Sequence, residues 1–356
     1  MKSTLLVLFF CGAGCFSFAG NESKKDSLKA GSQDSLFIRR FRNHPHVTFE
    51  FARRSDRFDL QSPINDTLVI RYEPNTKVNV VGTLDYRWLS VSIGLLSLHP
   101  IDGKKKGNSS QFSLRASFNG RRIWNSNFLQ VTQGFYQVNP KVSDPTWNSA
   151  TDAYPLRPDM TSFTLFSNLL FCFKPERFSY RAALWQLERQ ERSAGSFIAG
   201  LSYRLSILAS DTSQTLIPVS LYSQFAPEFR TVAIQQSNLT FHGGYIHSFV
   251  NKYHWFLTLY FLPGISVENG FYLPEDLLIR NYRSKISLAS EFRFIVGYNG
   301  DNWYSGLSAH SLSFTASRQV GMLVDNSFNY IRLFVGYRFK EVDRSKGSKL
   351  LRRIGL

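Results

Sequence analysis

Apolar and polar residues alternate with a period of two along much of this chain, the spacing at which a strand presents one face of each kind. In "YIRLFVGYRF" (330–339), Ile331, Leu333, Val335, Tyr337 and Phe339 share one parity, and Arg332, Gly336 and Arg338 the other, with Phe334 the exception. "VNVVGTLDY" sets Val78, Val80, Leu84 and Tyr86 against Asn79, Thr83 and Asp85. "LSVSIGL" (89–95) and "SQFSLRASFNG" (110–120) repeat the scheme, the second with Arg115 on its polar side. "FIAGLSYRLSI" sets Phe197, Leu201 and Tyr203 against Ser202, Arg204 and Ser206. "WFLTLYFLPGISVE" (255–268) and "YRSKISLASEFRFIVGY" (282–298) follow, the latter placing Arg283, Lys285, Glu291 and Arg293 opposite Ile286, Leu288, Phe292 and Phe294.

These segments run to about 9–16 residues, whereas strands of soluble proteins cluster near about 5–6; about 9–11 residues carry a tilted strand across a bilayer. The pattern predicts strands over 46–53, 76–86, 88–96, 110–119, 123–136, 159–173, 195–209, 238–250, 254–268, 282–298, 303–318 and 328–339. Very short connections ("YRWL", "NGRR", "NKYH", "NGDN") alternate with long ones (54–75, 97–109, 137–158, 210–237, 269–281, 319–327). Short turns at one end and long loops at the other mark an outer-membrane barrel, whereas a β-sandwich has no such alternation. The expected fold is therefore all-β, a transmembrane antiparallel barrel of about 12 strands spanning 45–340. The stretch "FSYRAALWQLE" (178–188) leaves 10 or 14 strands open, because it reads equally as a wall strand or as a short helix folded into the lumen. As a strand it requires a further one, such as "IPVSLYS" (217–223).

Composition strengthens this expectation. Aromatics make up 15% of the 356 residues, with 32 Phe against 3 Met, and they gather at strand ends (Tyr86, Trp88, Trp255, Tyr282, Tyr298, Trp303, Tyr337) as interfacial girdles do. The start, "MKSTLLVLFFCGAGCFSFAG", predicts a secretory signal over 1–19 cleaved after Ala19. A lipidated alternative would use Cys15, but Gly12-Ala13-Gly14 lacks the aliphatic residue such a site begins with. Cleavage leaves Cys172 alone, so no internal disulfide is expected. Residues 20–44 read as a flexible lead-in. Residues 341–356 read as a basic tail, the stretch from Lys340 carrying six cations against two acids, a net of +4. The formal charge is +16. Its scatter at strand spacing, in an exported chain, argues against nucleic acid and for a lumen and periphery balanced by lipid phosphates.

For chemistry the sequence offers little. His310-Ser311 resembles a lipase pair, but neighbours on a strand point to opposite faces. His44, His46, His242, His247 and His254 show no metal-ligand spacing. Glu188, Arg189, Glu191 and Arg192 read as a salt network. No catalytic residue, metal or cofactor is assigned, and an enzyme is not expected. Arg204, Arg283, Lys285, Arg293, Arg332 and Arg338 are expected to face the lumen with Glu291, since a midplane cation in lipid costs about 2–4 kcal/mol. A lumen so lined, if open, would select anions; if these arginines instead bind the folded-in segment through Glu188 and Glu191, it would not conduct. The balance leans slightly toward an open path.

Several of these stretches resemble a known family. "FSYRAA" with Gln190 and "SAGSFIAG" (Phe178, Ser179, Tyr180, Arg181, Ser193, Gly195, Ser196), "YEPN" at 72–75 and the terminal "VGYRF" resemble domain-of-unknown-function family 4421 over about residues 45–340. The resemblance implies an outer-membrane β-barrel of a Bacteroidota-type, Gram-negative bacterium and brings no activity with it. The expected role is a narrow or gated pore or a small-ligand binder. The alternatives are a structural or partner-docking barrel and, trailing both, a lipid-modifying enzyme. Expected partners are outer-membrane lipid, the barrel-insertion machinery, and a periplasmic protein at the basic tail; oligomeric state is open.

Overall fold

The computed structural model describes residues 36–340 except 42, 56, 63, 64, 66, 77, 99–102, 212, 213, 226–229, 315–322, 326 and 327. The segment expected to be a secretory signal (1–19) and the expected tail 341–356 lie outside the described residues. In chain order the strands are β1 (Ile38–Arg40), β2 (His46–Ser55), β3 (Phe58–Gln61), β4 (Val69–Glu73), β5 (Val78–Tyr86), β6 (Leu89–Leu98), β7 (Ser110–Asn119), β8 (Ile123–Gln137) and β9 (Leu156–Cys172). They continue with β10 (Glu188–Gln190), β11 (Ala194–Ala209), β12 (Thr231–Val250), β13 (Trp255–Pro274), β14 (Arg280–Asn299), β15 (Trp303–Phe314), β16 (Leu323–Asp325) and β17 (Phe328–Arg338). Helix α1 (Gly103–Lys106) lies in a long loop and α2 (Tyr180–Trp185) lies between β9 and β10.

Twelve of these close into an antiparallel barrel in the order β8-β7-β6-β5-β2-β17-β15-β14-β13-β12-β11-β9, and β9 pairs back onto β8. Closure leaves no open edge, so wall strands are paired on both sides where they run side by side, as a bilayer requires. Among the described residues no helix is long and apolar enough to cross a membrane; the strands do it. β12, β13 and β14 each run 20 residues, and so extend well past the about 9–11 needed to span. The remaining short strands lie off the wall: β16, β3 and β4 continue the sheet outward from β8, and β1 pairs with β10.

Side-chain parity follows the alternation. Phe49, Phe51, Leu84, Ile93, Phe197, Phe241, Phe261, Ile286, Leu288, Ile331 and Leu333 are exposed on the outer face, while Thr83, Ser92, Ser202, Thr258 and Ser287 are buried inside. An apolar band of that extent is what lipid, rather than water, stabilises. At the short-turn end aromatic rings cluster, with Trp88 on Phe118 at 5.5 Å, Trp303 on Tyr337 at 4.7 Å and Trp255 on Tyr298 at 5.8 Å.

"FSYRAALWQLE" is neither wall strand nor turn. It leaves β9 at the short-turn end and folds into the lumen as α2 followed by β10. Ser179 caps the helix, its hydroxyl accepting from the Ala182 amide at 3.1 Å, and Ala182-Ala183-Leu184 are good helix formers. Gln186 stops it in the left-handed region at φ 54°. Residues 36–41, placed by sequence in the flexible lead-in, supply β1, which pairs with β10 through Ile38–Gln190, Arg39–Arg189 and Arg40–Glu188. "IPVSLYS" forms a 3-10 turn (Val219–Gln224), not a strand.

Candidate functional site

The candidate site is the lumen and what fills it. At the short-turn end sits the plug, made of β1, α2 and β10. Its apolar side, with Phe178, Tyr180, Ala183 and Leu184, packs against Trp124, Leu170, Ile198, Ile246, Tyr260, Ile295, Tyr304 and Phe334 from the wall. Phe334 broke the alternation of the last strand because its parity faces this plug. Trp124 and Tyr180 lie nearly parallel, with ring centroids 6.5 Å apart. On the opposite wall, β2 and β5–β8 present small polar groups bonded to one another. Thr83 donates to Ser92 at 2.8 Å, Ser117 to Ser126 at 3.1 Å and Asn119 to Ser90 at 2.6 Å.

Two arginines of β17 latch the plug through its main chain. Arg332 Nη2 donates to the Leu184 carbonyl at 2.8 Å while Nη1 reaches Glu50 at 2.5 Å. Arg338 Nη2 donates to the Gln186 carbonyl and to Asn299, and Nη1 to Gly300. The left-handed turn at Gln186 presents that carbonyl to the guanidinium. Asn299 in turn donates to the Glu188 carbonyl at 3.0 Å. Gly336 lets the Tyr304 ring lie against β17: a Cβ there would stand 2.1 Å from the ring.

The alternative reading, that the lumen arginines bind the folded-in segment through Glu188 and Glu191, is corrected for Arg332 and Arg338, which hold the segment through its carbonyls instead. Glu188 accepts from Ser179 Oγ at 2.6 Å and faces Arg181 at 3.5 Å, and Glu191 pairs with Arg189 at 2.8 Å, all within the plug. Arg204, Arg332, Arg338 and Glu291 are buried on the inner face, and Arg293 joins Glu291 there at 2.7 Å. Lys285 lies on the same parity, cross-strand from Glu268; the side chain of Arg283 lies outside the described ones. Glu50 was missed, although "HVTFEFARR" places His46, Thr48, Glu50 and Arg54 on one parity. It accepts from Tyr330 at 2.8 Å as well as from Arg332.

The family-like residues are the joints of the plug. Phe178 is fully buried. Arg181 donates to the Arg87 carbonyl at 2.6 Å, tying the plug to the β5–β6 turn. Gln190 accepts from the Ser179 amide at 3.1 Å and donates to the Arg177 carbonyl at 2.6 Å. Ser193 accepts from the Val250 amide at 2.9 Å, and Ser196 from the Lys174 amide at 3.0 Å. At Gly195 a Cβ would stand 2.4 Å from Tyr245 Oη and 2.6 Å from the Ile246 carbonyl, so only glycine lets β11 start there.

At the long-loop end a cap closes over the β8–β12 side. Leu216, Ile217, Leu221 and Phe225 pack on Phe58, Leu60, Ile70 and Tyr72 of β3–β4 and on inward-facing Met160, Leu208 and Ile234. Tyr72 Oη donates to the Leu216 carbonyl at 2.8 Å, and Arg157 to Thr215 at 2.9 Å. "YEPN" serves this end: Glu73 pairs with Arg57 at 2.6 Å and Asn75 donates to the Gly107 carbonyl at 2.7 Å.

Between the plug and the wall lies a chamber of about 50 Å³ lined by Arg115, Arg293, Arg332, His310, Trp185, Phe128 and Tyr330 among others. His310 Nε2 is 2.9 Å from Glu291 Oε1, whereas Ser311 bonds Asn329 on the exposed side at 2.8 Å, so the two do not pair. Ser202 does bond His242 inside the wall, a contact the sequence did not suggest. The other ring nitrogen of His242 has no hydrogen-bond partner among the described residues, so no third group orients it as nucleophilic catalysis requires. Cys172 is a buried free thiol. Among the described residues no group of three or more metal-ligating side chains is assembled.

A closed twelve-strand barrel with an apolar outer band and an internal plug is an outer-membrane-type β-barrel. The chain belongs to the family described as Domain of unknown function (DUF4421), matched over residues 32–339. Among curated proteins none matches. Solved structures with a similar fold include the outer membrane protease OmpT from Escherichia coli, at 9% identity and TM-score 0.41, covering 86% of this chain and 100% of that one. The COG4313 outer membrane channel from Pseudomonas putida F1, at 8% identity and TM-score 0.30, covers 83% and 96%. The KdgM porin in complex with disordered oligogalacturonate, at 8% and 0.28, covers 83% and 99%.

Proposed function

We propose that this protein is a gated conduit for small solutes in the outer membrane of a Gram-negative bacterium, closed at rest, with its short-turn end in the periplasm. The observation that carries it is the way the plug is held. Arg332 and Arg338 bind it through carbonyl contacts from a single strand, and the wall facing its other side is lined with serine, threonine and asparagine. A plug docked by a few side-chain hydrogen bonds beside a polar wall can move and leave a wettable path. The fixed positive charge of the lumen makes that path anion-selective. Lipid is the surrounding partner, the insertion machinery reads the last strand ending at Phe339, and the basic tail offers a periplasmic docking segment. The extensive apolar packing of α2 favours a second role, a permanently filled structural barrel.

Planar-bilayer recording separates the two. Wild-type protein should be silent or flicker. A form with residues 176–191 replaced by a short Gly-Ser turn should pass steady, anion-selective current. A variant that shows the heat-dependent gel migration of a folded barrel but passes no current, or passes cations preferentially, would overturn the conduit.

A further inference from the structure

Arg115, on β7, projects into the chamber, where Glu50 attracts its charge but no acceptor among the described residues reaches it. Its guanidinium lies over the Trp185 ring of the plug at 4.9 Å and near Phe128 at 5.7 Å and Tyr330 at 6.0 Å. Among the described residues it makes no hydrogen bond and no ion pair, and its Nη1 is buried without a partner. Its neighbours cannot serve it. Arg332 lies over the same indole at 4.5 Å and already engages Glu50, which Tyr330 also uses. Arg293 engages Glu291 through two nitrogens, at 2.9 and 2.7 Å. The three arginines of the chamber are thus matched by two carboxylates, both occupied.

A buried guanidinium without an acceptor is costly, because its donors have left water and neither the charge of Glu50 nor the aromatic faces give them a hydrogen bond. We infer that the chamber is an anion site that takes one oxyanion group of phosphate or sulfate size, with Arg115 as its principal ligand. The planar fork of arginine matches two oxygens of such a group, and the Trp185 face fixes the plane of that fork. Size agrees. One water needs roughly 10–15 Å³ by this measure, so about 50 Å³ holds a few waters or one tetrahedral oxyanion. A sugar ring or a peptide does not fit. The inference rests on the proposed conduit only in naming what it would pass, and binding tests it separately from conductance.

Mature protein in detergent is titrated calorimetrically with inorganic phosphate, sulfate and acetate at constant ionic strength. Phosphate or sulfate should bind saturably, about one per chain, and roughly tenfold or more weaker in Arg115→Met, which loses a bidentate charged contact; Arg115→Lys should fall between. Acetate should bind weakest. In anion-free buffer Arg115→Met should unfold at a higher temperature than wild type, because an unpaired charge has gone. Saturating phosphate should raise the wild type more than the variant. Absent phosphate and sulfate binding, binding unaffected by either substitution, acetate binding as tight as phosphate, or a destabilised Arg115→Met without anion would each overturn the site. Phosphate binding together with a silent plug-deleted barrel would keep the site and remove the conduit.

Discussion

The plug enters the lumen from the short-turn end, where Arg332, Arg338 and Asn299 hold its backbone by hydrogen bonds. The cap folds down from the long loops, where Leu216, Ile217, Leu221 and Phe225 bury against β3, β4 and inward-facing wall residues. Both elements have an apolar core. Both are also tied by side chains to main-chain carbonyls, the cap through Tyr72 to Leu216 and Arg157 to Thr215; what differs is where the ties sit. Those of the plug come from β14 and β17 inside the wall and converge on residues 184–188, so the plug has one seat and can leave it as a unit when those bonds go. Those of the cap sit at the long-loop end, on β4 and the start of β9, beside apolar contacts that have no direction, so the cap loosens gradually. On this contrast the plug controls passage and the cap covers the β8–β12 side of the long-loop end.

The largest effect is expected at the latch. Arg338→Gln removes a charged donor from the Gln186 carbonyl of the plug and from Gly300 in the β14–β15 turn; a hydrogen bond to a charged group is worth about 1.5–3 kcal/mol, so the plug should lose about that much of docking. Bilayer recordings of the folded variant should show openings the wild type lacks. Unchanged silence would mean apolar packing alone seats the plug, and the contrast with the cap would collapse.

Next comes the cap. Leu216 is fully buried, and Leu216→Ala should cost about 2–5 kcal/mol of local packing. Limited proteolysis should then cut within 210–230 in the folded barrel, with no new conductance. Current from this variant alone would show that the cap, not the plug, is the barrier.

Gly195→Val probes the joint where the plug returns to the wall. Its Cβ meets the Ile246 carbonyl and Tyr245 hydroxyl at 2.6 and 2.4 Å, and overpacking of this kind costs about 1–3 kcal/mol. The unfolding temperature should drop modestly, and plug openings should be shorter and rarer than in Arg338→Gln. An unchanged unfolding temperature would show that the joint bends freely.

The wall was legible in the sequence because a strand writes its environment at every second residue: Arg204, Glu291, Arg293, Arg332 and Arg338 all fall on the inner face their parity required. The plug was half legible. "FSYRAALWQLE" stood out as too long for a turn, yet its alternation of apolar and polar residues fits a strand and a helix alike, and tertiary packing against Trp124 decided. β1 was invisible because three residues of "IRR" carry no period, and their pairing with β10 lies about 150 positions away in sequence. The cap escaped for the same reason: Leu216, Ile217 and Leu221 look like any apolar residues of a long loop until β3 and β4 meet them. Arg115 was legible as inward-facing; that it has no acid could be read only from the arrangement of Glu50 and Glu291.

The smallest effect should come from Asp301, which ties β1 and β10 to the β14–β15 turn through Arg39 at 2.9 Å and Arg189 at 2.7 Å. Partial burial pushes its carboxyl up, but the two guanidiniums outweigh this and hold it below the ordinary carboxylate range. A carboxylate depressed on folding stabilises above its unfolded value, about 3.9, and that contribution is lost as pH falls through the lower folded one. The tie is therefore constant from pH 8 to 5 and weakens only in stronger acid. Because Asp301 is half exposed, its pairs are worth at most about 1 kcal/mol each. A spin label on Leu36→Cys reports the mobility of the strand that precedes this tie. It should stay immobile down to about pH 4 and loosen below, while Asp301→Asn should be slightly mobile at every pH. A transition well above pH 5 would show that Asp301 is not what holds this strand, and would make the plug, not the cap, sensitive to ordinary environmental acidity.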